Sequence, residues 1–291
     1  MKLLIGFHVP ITGGIYKSID HALNIGCTAF QVFTRNPRAW KFKPLLDIDV
    51  LNFKSKLEQS GLNPDAVSVH MPYLPNLSAP KGEMYTKSVH SLEAEMHRCA
   101  QLGIKNLVTH LGSHMGAGPQ KGIEQLVNSI NTATDSFRLK NGNNDVNILL
   151  ENSAGGKNSI GSKLEELGII IDKLSSNSWG ICIDTCHAFA VGYDLTTEDK
   201  SSDFIYSLDK SLGLENLKLI HLNDSKKELG QHIDRHEHIG LGKIGGNGLG
   251  RFLTDKKLKF KPIIIETPID SVRNDVDNLQ AALRLAKIYK T

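Results

Sequence analysis

Apolar residues along the chain fall into short unbroken runs, separated by longer stretches in which they recur every three or four positions. The runs, bounded by turn-forming residues, read as parallel strands buried on both faces, and the periodic stretches read as the helices that cover them. Eight runs can be followed: Leu3 to His8, Thr28 to Phe33, Ala66 to His70, Asn106 to His110, Val146 to Glu151, Gly180 to Asp184, Leu217 to His221 and Pro262 to Glu266. Helical spacing links Ile15, Ile19, Ala22 and Leu23, then Val89, Leu92, Met96 and Cys99, then Ile123, Leu126, Val127 and Ile130. It recurs in Leu164, Leu167, Ile171 and Leu174, and in a closing helix with Val272, Val276, Leu279 and Leu283. Eight such units in 291 residues predict an α/β protein of the (β/α)8 TIM-barrel type, one domain over 1–291, with its active site at the C-terminal ends of the strands.

Six runs end, where the apolar character stops, in a residue able to bind a metal: His70, His110, Glu151, Asp184, His221 and Glu266. A single buried His or Glu in such a place is usually structural. Six around one barrel mouth leave ionisable groups partly desolvated and mutually repelling unless a cation holds them. Outside the strands, Asp234-Arg235-His236 in the loop after the seventh run has a spacing that places both side chains on one side of an extended segment. His187, just past Asp184, offers a third donor for a shared cation.

Other signals carry less. Gly240-Leu241-Gly242-Lys243-Ile244-Gly245 has the letters of a dinucleotide fingerprint, but no strand precedes it and no βαβ unit surrounds it. His110 and His114 lie four apart, yet begin at a strand end with no adjacent Glu, which excludes the helical metalloprotease pattern. Thr34 to Trp40 reads as a polar surface loop with two arginines and an exposed tryptophan, and Lys256 to Lys261 as a solvated basic run at the opposite end of the barrel. His21, His90 and His97 read as surface residues of helices, and His8 as a support for the site.

Composition narrows the class further. The 40% hydrophobic content suffices for a large core, with no linker, repeat or low-complexity tract to divide it. A formal charge of +3 permits a nucleic-acid partner without demanding one. Met1 to Gly6 is too short for a signal segment, and no run approaches the roughly 20 residues of a membrane span. The expectation is a soluble, cytoplasmic chain. Its four scattered cysteines, Cys27, Cys99, Cys182 and Cys186, are expected as reduced thiols, with Cys182 packed inside the barrel.

These motifs together resemble the endonuclease IV family of zinc-dependent apurinic/apyrimidinic endonucleases. The resemblance runs through Gly6-x-His8, Gly13-Gly14, Phe33-Thr34-Arg35-Asn36, Glu151-Asn152-x-Ala154-Gly155 and Asp184-Thr185-Cys186-His187. It continues in His221-Leu222-Asn223-Asp224-Ser225, Asp234 to Gly240 and Glu266-Thr267-Pro268. Pro10-Ile11-Thr12 and Met71-Pro72 depart from the family pattern, where small and more polar residues are usual. The resemblance implies three zinc ions per chain, with Mn able to replace zinc at one site. The first would take His70, His110 and Glu151; the second the bridging Glu151 with Asp184, His221 and Glu266; the third His187, Asp234 and His236. Five neutral imidazoles and four carboxylates around three divalent ions leave roughly two positive charges, which suits a phosphodiester.

The implied reaction is hydrolysis 5′ to an abasic site in double-stranded DNA, leaving a 3′-hydroxyl and a 5′-deoxyribose phosphate, with 3′-end repair diesterase activity beside it. Glu151 and Glu266 would orient or deprotonate the attacking water. Arg38, Tyr73 and Leu74 match positions that the family inserts into the duplex, and Arg35, Lys226 and Lys227 would meet phosphates. A monomer with neither a required protein partner nor membrane attachment is expected. Two other readings compete. A sugar isomerase or epimerase on a related barrel needs one or two metals, so the Asp234, His236 and His187 trio argues against it. A silent damage-binding protein would lack ligands, and all nine are present.

Overall fold

The computed structural model describes residues 3–141 and 146–288. Eight parallel strands close into a barrel: β1 (Ile5–His8), β2 (Ala29–Val32), β3 (Val67–His70), β4 (Asn106–His110), β5 (Asn147–Glu151), β6 (Trp179–Asp184), β7 (Leu217–His221) and, after an intervening hairpin, β10 (Ile263–Ile265). The hairpin pairs β8 (Asp224–Ser225) with β9 (His236–Glu237) in antiparallel register. Every strand expected from an apolar run is present, displaced by at most two residues at either end. Barrel closure brings β1 against β10, with Gly6 opposite Ile264. On the other side Gly6 pairs with Ala29, and a Cβ there would lie 1.8 Å from the Ala29 carbonyl oxygen, so only glycine fits that seam.

The helices are α1 (Lys17–Ile25), α2 (Asp47–Ser60), α3 (Glu83–Leu102), α4 (Pro119–Asn141), α5 (Leu164–Ile171), α6 (Thr185–Ala190), α7 (Glu198–Leu212), α8 (Gly245–Thr254) and α9 (Asp275–Ile288). The apolar spacing marks α1, α3, α4, α5 and α9, but five expected members differ. Ile15 lies ahead of α1 and Leu23 faces solvent on it, Leu174 lies beyond the end of α5, Val272 is exposed ahead of α9 and Val276 is exposed on it. The spacing misses α2, α6, α7 and α8. On α2 only Phe53 and Leu57 are buried while Ile48 and Leu51 are exposed, so no clean apolar stripe exists to be read.

Two apolar layers result. The larger fills the space between strands and helices. The smaller, of Ala29, Ala66, Val108, Leu149, Cys182, Leu219 and Ile264, lines the barrel interior. Alternation along a strand puts Val108, Leu149, Cys182, Leu219 and Ile264 on the same face as His110, Glu151, Asp184, His221 and Glu266, two residues on. The polar ring at the mouth therefore sits on an apolar floor. Cys182 belongs to that floor, where burial pushes its thiol up to about 12.

Candidate metal centre

The strand ends bring the expected donors together as three adjoining clusters. His70, His110 and Glu151 form one; Glu151, Asp184, His221 and Glu266 a second; His187, Asp234 and His236 a third, with donor atoms inside each lying within 4.8 Å of one another. Glu151 spans the first two. Its Oε2 lies 3.2 Å from Nε2 of both His70 and His110, while its Oε1 lies 3.0 Å from His221 Nδ1. His221 Nδ1 is also 3.4 Å from Glu266 Oε2. In the third cluster Asp234 places one oxygen 3.2 Å from His187 Nε2 and the other 3.2 Å from His236 Nε2. His236 Nε2 lies 3.6 Å from Asp184 Oδ2, which joins the third cluster to the second.

Local structure aims each group. Instead of giving way to a loop, β6 passes directly into α6, because Asp184 is its N-cap and accepts the His187 backbone N–H at 2.9 Å on Oδ1. The cap thereby fixes His187 in the first turn. Asp234 and His236 arrive on the β8–β9 hairpin, with His236 held opposite Ser225.

Four imidazoles have one ring nitrogen tied to an oxygen that can only accept, which fixes the tautomer and turns the other nitrogen to the cluster. His70 Nδ1 donates to the Met71 carbonyl at 2.7 Å, His187 Nδ1 to the Asn152 carbonyl at 2.8 Å, and His236 Nδ1 to the Glu266 carbonyl at 2.9 Å. His221 is reversed: Nε2 donates to Gln31 Oε1 at 3.1 Å and Nδ1 faces the carboxylates. Met71 departs from the family pattern, but it contributes a backbone carbonyl, so the side-chain change leaves this bond intact.

Charge in the cluster is strongly displaced. Burial favours a neutral Glu151, yet His110 and His221 beside it hold its carboxyl well below the usual range. Glu266 is likewise held low against burial, chiefly by His221 and His8. Asp234 is held low by His187 and His236. The reciprocal effect overcomes burial at His110, at His187 and at His221, and lifts His236 to about 9. Carboxylate and imidazole thus offset one another's charge across the clusters. The donor set itself fits divalent metal: nitrogen and carboxylate oxygen at three convergent points. One buried atom makes the fit specific, since His236 Nε2 lies close to Asp234 yet has no partner in hydrogen-bonding geometry.

Sequence reasoning missed the polar residues around the donors. Gln31, fully buried on β2, accepts from His221 and Ser68 and donates to Glu266 Oε1 at 3.0 Å. Asn223 donates to Asp184 Oδ2 at 2.7 Å and accepts the Glu266 backbone N–H. Asn152 exchanges two hydrogen bonds with the Asp184 backbone. The available signal was a Gln inside the apolar run Ala29–Val32, an Asn directly after Glu151 and another two residues after His221. His8 takes its expected supporting place, 3.2 Å from Glu266 Oε1.

The rim beside the clusters is aromatic. Phe33 lies against His8, His70 and Tyr73 and helps line a mouth cavity of about 370 Å³. Tyr73 is 55% exposed, Leu74 is half-buried and Arg38 is exposed; the Tyr73 backbone N–H donates to the Pro37 carbonyl, tying the two loops together. Arg35 requires a correction. Far from meeting phosphate, it is buried in an ion pair with Glu95, donates to Ser91 and lies over Phe42. Trp40 is half-buried, not exposed. Lys226 and Lys227 stand at the hairpin, Lys226 exposed and 3.9 Å from Glu237.

Fold and clusters define a TIM barrel with candidate metal sites at its mouth, and residues 19–289 match the family described as xylose isomerase-like TIM barrels. Within that class the chain belongs to the endonuclease IV family. It is 50% identical over 283 residues to a probable endonuclease 4 of Nitrosopumilus maritimus, covering 97% of this chain and 99% of that one. The solved endonuclease IV of Thermus thermophilus superposes with a TM-score of 0.84 at 34% identity, covering 98% and 99% of the two chains. A D-tagatose 3-epimerase-like protein, at 16% identity and a TM-score of 0.69 over 98% and 96% of the two chains, shares the fold alone.

Proposed function

We propose that this chain is a DNA-repair endonuclease of one catalytic domain that hydrolyses the phosphodiester 5′ to abasic sites in duplex DNA. It would leave a 3′-hydroxyl and a 5′-deoxyribose phosphate and trim blocked 3′ ends at the same centre, as a step of base excision repair. The observation that carries this reading is the third cluster, His187, Asp234 and His236, set against the Glu151-bridged pair in a chain that is half identical to a probable endonuclease 4.

On this reading His70, His110 and Glu151 hold one zinc, Glu151, Asp184, His221 and Glu266 a second, and His187, Asp234 and His236 a third, with Mn able to replace zinc at one site. Bound divalent ions supply Lewis acidity toward the scissile phosphate and offset the charge that grows on it. Glu151 and Glu266, ionised in their buried settings, orient the attacking water and accept its proton. Glu266 suits this task because it lines the mouth cavity with its Oε1 fixed by His8 and Gln31, while Oε2 lies 3.4 Å from His221 Nδ1. At the rim Arg38, Tyr73 and Leu74 fill the gap left by the missing base, and the low unstacking cost at a baseless nucleotide favours damaged sites.

The enzyme works as a cytoplasmic monomer without a required protein partner, and among the described residues no helix is long and apolar enough to cross a membrane. The test is cleavage of a duplex with one synthetic abasic site beside an undamaged duplex, with metal content measured on the same preparation. Selective 5′ nicking with about three ions per chain, lost on chelation and in Glu151→Gln or Glu266→Gln, is the expected result. An uncut lesion strand with one or two ions bound overturns it.

A further inference from the structure

The glycine-rich stretch Gly240 to Gly245 has the letters of a phosphate cradle, and the structure shows what fills it. Asp224 is completely buried, and its carboxylate accepts the backbone N–H of Gly240 and Gly242 on Oδ2 and of Ile244 on Oδ1, each at 3.0 Å. Gly245 adds a longer bond at 3.3 Å, and the Ser225 N–H one at 2.8 Å. Successive N–H groups turned toward one anion form a nest, here built around the protein's own carboxylate. Glycine at 242 is obligatory for it, because a Cβ would lie 2.4 Å from Asp224 Oδ1 and 2.5 Å from the Ser225 carbonyl oxygen.

The place of this nest gives it a purpose. Asp224 opens β8, and the chain from Lys226 to Arg235 leaves the barrel as a loop before β9 returns with His236 opposite Ser225. Backbone bonds from Lys226 to Arg235 and from Lys243 to Ser225 flank the carboxylate on either side. It therefore closes the base of the excursion that carries two of the three groups in the third cluster. Neither Asp234 nor His236 stands on a barrel strand; the barrel meets His236 through the Glu266 carbonyl, and the hairpin carries both residues to it. Neighbouring residues divide the labour: Asn223 holds Asp184 for the second cluster, and Asp224 clamps the loop for the third.

We infer that Asp224 is a positioning residue for the third metal: by filling the Gly240–Gly245 nest it locks the hairpin that sets Asp234 and His236 against His187. This rests on the proposed three-metal centre, deepens it, and is separable from it by experiment.

The experiment compares the full chain with Asp224→Asn, which keeps the shape of the side chain but turns an N–H₂ toward donors. Each protein is loaded with zinc, passed through gel filtration and analysed for metal, and the rate of zinc loss to a chelator is recorded. His236→Asn serves as the reference for loss of the third ion. The wild-type chain is expected to retain about three ions, and Asp224→Asn about two, with native circular dichroism and a third ion released about tenfold faster. Nicking of abasic duplex returns in Asp224→Asn at raised zinc concentration, which general damage to the fold does not allow. Three ions retained at the wild-type rate overturns the role of Asp224 while leaving the three-metal reading intact. Fewer than three in the wild-type chain overturns both. Should Asp224→Asn not fold, Gly242→Ala is read the same way. Amide exchange on the wild-type chain is independent of either variant: Gly240, Gly242 and Ile244 exchanging as fast as Glu228 on the same loop refutes the nest.

Discussion

Replacing Gln31 by Leu tests whether the polar residues around the donors set metal affinity. Leu approximates the volume of Gln but removes the oxygen that accepts from His221 Nε2 and the amide that donates to Glu266 Oε1. Both Gln31 and His221 are fully buried, so no water replaces the lost partner. An unsatisfied buried donor costs about 1–3 kcal/mol. Losing the group that orients a metal-binding imidazole weakens metal binding about 10- to 100-fold, which is about 1.4–2.7 kcal/mol. The two routes agree, and zinc competition against a chromophoric chelator reads the result directly. Gln31→Glu separates the contributions, since it keeps an acceptor for His221 but loses the donor to Glu266. Zinc affinity in Gln31→Leu within twofold of wild type would refute the reasoning. A drop in melting temperature without any change in affinity would assign Gln31 to folding alone.

Glu95→Gln should destabilise the chain by about 3–5 kcal/mol in urea unfolding, because it leaves the buried Arg35 and Arg98 without their carboxylate. A loss under about 1 kcal/mol would count against that network as the anchor of the Arg38 loop. Tyr73→Ala should lower discrimination between abasic and intact duplex while metal content stays unchanged; undiminished discrimination would remove Tyr73 from the rim function. Glu93, bridging α3 to Lys140 and Ser136 of α4, is held below the usual carboxyl range by those partners against its burial. Its contribution is therefore present above the unfolded value near 4.5 and lost as pH falls through the lower folded value. Glu93→Gln should cost about 1 kcal/mol at pH 7 and nothing at the acid end, so parallel stability curves at all pH values would sink the assignment.

The strands were legible because a parallel barrel buries both faces of each one, and the apolar run then stops where the mouth begins. The same rule exposed the donors: His110, Glu151 and Asp184 stand out because the same break from apolar run to donor recurs at six strand ends. Helices α2 and α7 show the opposite case. α7 buries Ser201, Phe204, Ile205, Leu208 and Leu212 at helical spacing, but polar residues interrupt the stripe, and α2 hardly has one. Arg35 illustrates a limit of a different kind. Its neighbours in sequence are polar and loop-like, while Glu95, the residue that decides its fate, lies 60 positions away. Only the folded chain puts the two together, and an arginine one step from a carboxylate ceases to be available for DNA.

The apolar floor explains why the centre needs so many amide side chains. Beneath the donors, Val108, Leu149, Cys182, Leu219 and Ile264 offer no strong hydrogen bond, so every polar atom in the ring must find its partner sideways or in a returning loop. Gln31, Asn152 and Asn223 fill that requirement laterally, each neutral and each serving as donor and acceptor at once. A lysine or a further carboxylate in their place would change the charge that the metals must balance. With the floor closed and the sides tied, His236, which lines the mouth cavity, keeps a buried Nε2 without a hydrogen-bond partner. On the proposed reading, cations held there would lie on the side from which a phosphodiester must come, and the hairpin that delivers Asp234 and His236 lines that same cavity.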